Sequence, residues 1–250
     1  MGGWGSGDNQ TVSGGETRLI SAGRIFLDRA DAGRALGRAL DAWRGRGDVI
    51  VLGLARGGVA VAFEVAESLG APLDVFIVRK LGVPGQPELA MGAIASGGVR
   101  VLNPEVVRGL RISEADIDRV ARDEEQELAR RWRAYRGGLA PLAVTGKNVI
   151  VVDDGIATGS TMRAGVQALR KLGPARVIVA VPHAPPDTID ALSGDADEVV
   201  CLETPDPYFA VGCWYHDFRQ VEDAEVRELL ERAAIKQKSA GTAAPPPGGS

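Results

Sequence analysis

The residues richest in chemistry sit in one short stretch, Asp153-Asp154-Gly155-Ile156-Ala157-Thr158-Gly159-Ser160-Thr161. Two adjacent carboxylates are followed by two glycines and three hydroxyls. Glycines let backbone N–H groups approach an anion, hydroxyls add donors, and a helix opening at the end of such a turn offers free N–H groups and the positive end of its dipole. That set fits a phosphate. The carboxylates would repel a phosphate alone, but they accept hydrogen bonds from a vicinal diol. A diol beside a phosphate is a ribose phosphate. An ordinary strand-to-helix turn with a capping aspartate would explain one acid and one glycine, not the whole set.

A second cluster is Ala55-Arg56-Gly57-Gly58. A guanidinium beside two glycines at the carboxyl end of a strand can grip a diphosphate bidentately. In isolation, a solvated arginine in a glycine turn explains it equally well.

The elements that must hold these turns can be read from the surrounding pattern. The apolar β-branched run Val149 to Val152 predicts a strand buried on both faces, and Met162, Val166, Leu169 and Leu172 predict a helix after the turn. The same grammar recurs at Val49 to Leu54, followed by a helix with Val59, Phe63, Ala66 and Leu69 on one face, ending at Gly70 with Pro72 beyond. A helical stripe runs from Asp31 to Trp43. Strands are expected at Leu73 to Val78, Val177 to Val181 and Glu198 to Leu202, a short helix at Asp187 to Leu192, and a last amphipathic helix carrying Val226, Leu229, Leu230 and Ala233. Arg79-Lys80 leads into a long irregular stretch, Leu81 to Gly98, which reads as a lid or binding loop.

Ser113 and Asp116 open a capping box for a helix to Arg136, with acids early and Arg130, Arg131, Arg133 and Arg136 at its end. Trp132 and Tyr135 interleave with those arginines, either as an RNA-binding face or as inward-packed rings beneath a solvated charged end. His183 ends a strand at the rim where ligands bind, as a ligand group or as a hydrogen-bonded structural residue. Thr204 to Phe218 concentrates five aromatics in a chain that is 5% aromatic. It is either a hood that stacks on a planar ligand or a plug in the core.

Alternating strands and helices predict an α/β fold: a doubly wound, mostly parallel sheet with ligand turns at the strands' carboxyl ends and a small C-terminal hood segment. Residues 18–235 form the expected domain; 1–17 and 236–250, glycine-, proline- and polar-rich, read as disordered tails. At 250 residues, 45% hydrophobic and 25% charged, the chain suits one soluble domain. No apolar run approaches a membrane span, the first residues show no basic-then-apolar leader, and Cys201 and Cys213 are too few for a disulfide framework, so a cytoplasmic protein is expected. A net charge of −4 argues against a nucleic-acid partner.

The run Val151 to Met162, VVDDGIATGSTM, resembles the phosphoribosyl pyrophosphate (PRPP) loop of type I phosphoribosyltransferases, the adenine type in particular. It lacks the lysine of a Walker loop and is not a GxGxxG dinucleotide turn. Over about Arg24 to Arg219 the chain is similar to a bacterial group of such proteins. The resemblance implies a Mg²⁺-dependent transferase of nucleotide metabolism, a homodimer that passes the 5-phosphoribosyl group from PRPP to a small-molecule acceptor and releases pyrophosphate. By the same resemblance Asp153, Asp154 and Arg56 are catalytic, with both aspartates on the ribose hydroxyls. Gly155, Ile156, Ala157, Thr158, Gly159, Ser160 and Thr161 complete the PRPP site. Arg56 and Gly57, with Arg79 and Lys80, take the pyrophosphate, on a loop often built around a non-proline cis peptide. Mg²⁺ is held mainly through PRPP, with Asp153 and Asp154 as its candidate protein ligands.

Two departures matter. Relatives often carry basic residues on the lid, whereas Leu81 to Val99 has only Glu88, leaving charge neutralisation to Arg56, Arg79, Lys80, Mg²⁺ or a neighbouring subunit. Relatives that use 6-oxopurines carry an aspartate where this chain has Ala157, so an adenine-like, pyrimidine or non-base acceptor is expected. A non-enzymatic PRPP-sensing regulator and another ribose-phosphate enzyme are the alternative readings.

Overall fold

The runs of β-branched residues become the interior of a sheet, and the stripes between them become the helices that cover it. The structure, a computed structural model, describes residues 10–12, 15–19, 23–137 and 141–242. In chain order the elements are β1 (Gln10–Val12), β2 (Gly15–Leu19), α1 (Arg29–Ala39), β3 (Val49–Leu54), α2 (Gly57–Leu69), β4 (Leu73–Phe76), β5 (Val78–Val83), β6 (Gln86–Ala95), β7 (Val99–Leu102), α3 (Pro104–Gly109), α4 (Glu114–Arg136), β8 (Asn148–Val152), α5 (Ser160–Lys171), β9 (Arg176–His183), α6 (Pro186–Ser193), β10 (Glu198–Glu203) and α7 (Asp223–Thr242).

The main sheet runs β1-β2-β10-β9-β8-β3-β4, parallel throughout except for the β1–β2 pair. Every residue of β3 and β8 is buried, because helices cover both faces. On one face Val51, Ile150 and Ile178 meet Leu36 of α1, Phe63 of α2 and Leu230 of α7. On the other, Ile50, Val149 and Val177 meet Val166 and Leu169 of α5 and Ile189 of α6. The predicted α/β architecture is present. Ser113 caps α4 by accepting from Asp116 N, and α4 ends at Gly137 with φ 58°.

Three expectations are corrected. The stretch Leu81 to Gly98 is not irregular: β5, β6 and β7 form a second, antiparallel sheet. Leu81, Val83, Met91 and Ile94 pack against Ile117 and Ala121 of α4. Pro84-Gly85 closes the hairpin with proline first and Gly85 at φ 79°, as a type II turn requires. A bulge at Gly82 breaks the alternation that would have marked the strand. Secondly, the expected first tail includes β1 and most of β2; β2 covers the edge of β10 that would otherwise expose unpaired backbone groups. Thirdly, α7 runs on past residue 236 to Thr242. The remainder of both expected tails, 1–9, 13–14 and 243–250, lies outside the described residues. Among those described, no helix is long and apolar enough to cross a membrane.

Candidate functional site

β3 and β8 are parallel neighbours, with Gly53 opposite Val152, so the turns that leave them start side by side. The Ala55–Arg56 peptide in the first turn is cis. Gly57 has no room for a Cβ, because Asp154 Oδ2 occupies that place. A Cβ on Gly58 would stand 2.6 Å from Val152 O and 3.0 Å from Asp153 Oδ1. Bare glycines therefore let the Arg56 turn nest against the acid pair.

Both carboxylates are half-buried. Asp153 Oδ1 accepts from Asp154 N at 2.9 Å, and Asp154 Oδ2 accepts from Arg29 Nε at 2.8 Å. Burial and the charge of Asp154 push the Asp153 carboxyl well above the ordinary carboxylate range. Burial raises Asp154 too, with Arg29 pulling the other way. Arg29 is itself fixed: its guanidinium lies 3.9 Å from the Phe218 ring centre, and its Nη1 donates to Arg219 O at 2.8 Å. Tyr215 Oη donates to Asp154 O at 2.5 Å. Sequence reasoning misses Arg29. Its one local mark is a cation in the first turn of α1, where the helix dipole disfavours it.

Along the second turn, Gly155 (φ 156°) has no space for a side chain, because the His183 ring and Val211 fill the place of a Cβ. Ile156 N donates to His183 O at 3.1 Å, and Thr188 Oγ1 donates to Ala157 O at 2.7 Å. Thr158 and Ser160 hydroxyls are 3.3 Å apart. Gly159, φ 71°, opens α5 with no side chain capping the helix. Ala157, Thr158, Ser160 and Thr161 are exposed, so the uncapped end of the helix and three hydroxyls are accessible together, an arrangement suited to a phosphate.

The structure thus brings together Asp153, Asp154, Gly155 to Thr161, Arg56 and Gly57. Arg56 Nη1 is 3.5 Å from Asp223 Oδ1 at the start of α7, and the same oxygen accepts from Tyr135 Oη at 3.0 Å. Arg79 and Lys80 do not share a face. Strand alternation turns Arg79 towards α4, where its Nε meets Glu124 Oε2 at 2.7 Å, while Lys80 lines a cavity between β5 and α5.

His183 is fully buried, with Nδ1 2.9 Å from Tyr208 Oη, and burial pushes it down to about 4. The rings of Phe26, Tyr208, Trp214 and Tyr215 surround it at 5.4–6.4 Å. It supports the turn from behind rather than facing a ligand. The aromatic segment is divided: Tyr215 is buried, whereas Phe209 is 80% exposed. At the end of α4, Arg130 and Arg131 are held by Glu127 and Arg136 by buried Asp74, while Tyr135 is buried and Trp132 packs on the core. That leaves little free positive charge for a nucleic acid.

Among the described residues no group of three or more His, Cys, Asp or Glu could enclose a metal. Asp153 and Asp154 beside an anion turn do fit Mg²⁺, which is commonly held by one or two carboxylates with substrate phosphates completing its shell.

Comparison with known proteins gives the family. The family profile described as "Phosphoribosyl transferase domain" matches residues 29–217. A Mycobacterium tuberculosis H37Rv protein, Rv0571c, provisionally named a phosphoribosyl transferase, is 52% identical over 227 residues, covering 90% of this chain and 51% of that protein. The chain therefore spans about half the length of the curated relatives it matches. The crystal structure of TT1426 from Thermus thermophilus superposes with a TM-score of 0.75 at 43% identity, covering 83% of this chain and 98% of that one. The bifunctional protein PyrR of Chloroflexus aurantiacus is 34% identical over 126 residues, 49% of this chain and 63% of that protein.

Proposed function

The chain belongs to the phosphoribosyl transferase domain family, and on that premise we propose that it is a Mg²⁺-dependent phosphoribosyltransferase that moves the 5-phosphoribosyl group of PRPP to a small acceptor other than a 6-oxopurine. The observation that carries the reading is the seating of the Arg56–Gly57 turn directly against the Asp153–Asp154 pair. A diphosphate on one turn and a ribose 5-phosphate on the other would then meet at the anomeric carbon.

In this reaction the bond from C1 to the diphosphate oxygen breaks and a bond to the acceptor forms, through an oxocarbenium-like state. The protein's share is positioning and electrostatics. The uncapped amides and hydroxyls from Gly155 to Thr161 anchor the 5′-phosphate. Asp153 and Asp154 accept from the ribose hydroxyls and place negative charge beside the developing cation. Arg56, leaving Asp223, grips the departing diphosphate. Mg²⁺, held mainly through PRPP with Asp153 and Asp154 as its candidate protein ligands, would supply further positive charge to that group. Ala157 puts a methyl where 6-oxopurine enzymes use an acid, which disfavours hypoxanthine and guanine. A cytoplasmic homodimer completes the proposal: Leu81 to Val99 carries no lysine or arginine, so a second copy is a source of additional cations at the diphosphate.

The test is to incubate the protein with Mg·PRPP and a panel of adenine-like, pyrimidine and non-base acceptors while following pyrophosphate. Acceptor-dependent release is expected. Release without any acceptor would make it a PRPP hydrolase, and tight PRPP binding with no release would make it a sensor.

A further inference from the structure

A cavity of about 500 Å³ lies between the β5–β7 sheet, the start of α3 and the first turns of α5, and neither the acid pair nor the Arg56 turn lines it. Ligand pockets run from roughly 300 to 1,000 Å³. Its walls include Val78, Ala90, Ala93 and Val101 from the sheet and Ala164 from α5. Three of these are alanines, so short side chains leave a ring-sized apolar space.

Around that space stand Lys80, Arg108 and Arg163 against one carboxylate, Glu105. Arg163 is committed to Asp195, 2.6 Å away. Among the described residues Lys80 Nζ donates to Glu88 O at 3.1 Å, and its one carboxylate is Glu88 Oε2, at 3.4 Å on a side chain that is 98% exposed, a pairing of little strength. Arg108 has no carboxylate partner among the described residues. The cavity therefore combines an apolar floor with two available cations. Ser160 and Thr161, the first residues of α5, line it too, and they adjoin the turn that holds the 5′-phosphate.

We propose that this cavity is a second ligand site, taking an amphipathic organic anion whose ring system lies on the alanines and whose phosphate, sulfonate or carboxylate meets Arg108 and Lys80. An occupant sets the spacing between β6 and α5, so it alters the affinity of the 5′-phosphate turn through Ser160 and Thr161. Only this coupling rests on the proposed function; the site itself does not.

The probe is 8-anilinonaphthalene-1-sulfonate, an aromatic ring system bearing one anion, titrated by fluorescence into the full chain. Arg108→Glu and Gln167→Glu change exposed side chains on two walls, and Arg227→Glu on α7 is the control. One saturable site is expected, weakened about tenfold or more by the first two changes, as loss of a charged contact at Arg108 and a new like charge at Gln167 imply, and unmoved by the control. No saturable binding, or equal binding by all four proteins, overturns the site. With dye at saturation, ribose 5-phosphate affinity should change about fivefold or more, and dye affinity should change reciprocally with ribose 5-phosphate. Ribose 5-phosphate that binds equally well with and without dye overturns the coupling. Dye binding as expected beside no ribose 5-phosphate binding at all supports the site and removes the functional reading instead.

Discussion

At the scale of single residues, the acid pair sets function against stability. Ionised Asp153 is opposed by burial and by Asp154, so its folded-state pKa is raised, and the stability it contributes is lost as pH rises through that value. At neutral pH the unliganded protein carries this cost. Asp153→Asn should therefore raise the unfolding temperature while weakening PRPP binding about ten- to a hundredfold, the worth of a charged hydrogen bond. Asp154→Asn should weaken binding similarly with little change in unfolding temperature, since Arg29 already offsets part of that charge. Calorimetry finding wild-type affinity in both variants would remove the ribose-hydroxyl role. His183 has the opposite sign. Its folded pKa falls from 6.5 to about 4, so its contribution is complete above 6.5 and is lost as pH falls towards 4. The shift amounts to roughly 3 kcal/mol. Urea unfolding of His183→Gln should show a flatter pH dependence than the native chain between those limits; parallel curves would mean that His183 is not held neutral by burial.

At the scale of elements, the β5–β6 hairpin decides how much of the lid can move. Leu81 and Met91 are fully buried and join Ile94 against α4, so the base of the hairpin is part of the core. On the proposed function, the exposed tip around Pro84 to Glu88 is the part that closes over a ligand. Hydrogen exchange should find the amides of Leu81 and of Met91 to Ile94 protected without ligand, and those of Gly85 to Leu89 protected only with Mg·PRPP and acceptor. Deleting Pro84 to Glu88 should abolish turnover yet leave PRPP binding, because water exclusion rather than phosphate anchoring is lost. Fast exchange throughout Leu81 to Ala93 in the free protein would mean that the whole hairpin detaches.

At the scale of the whole molecule, what is legible in the sequence is what is contiguous. The runs at Val49 to Leu54 and Val149 to Val152 announce buried parallel strands, and the second turn reads as the proposed phosphate site because its donors follow one another. Arg29 is invisible in this way: it reaches Asp154 from 125 residues earlier. The same holds for Asp223, which closes on Arg56 from another helix. The hairpin is obscured for a local reason, since Gly82, Pro84 and Gly85 read as loop punctuation while serving a bulge and a turn. Distribution of charge over the molecule carries the last prediction. A regulator that reads RNA needs a surface of available cations, and its binding would fall steeply as salt displaces released counterions. Here the net charge is −4, and of the arginines ending α4, Arg130, Arg131 and Arg136 are each held by a carboxylate. Electrophoretic mobility of RNA and DNA oligomers should therefore be unchanged by micromolar protein at physiological salt, with or without PRPP, while the same preparation releases pyrophosphate with its acceptor. A salt-sensitive shift that PRPP modulates, with no pyrophosphate from any acceptor, would make the paired turns a sensor's rather than an enzyme's.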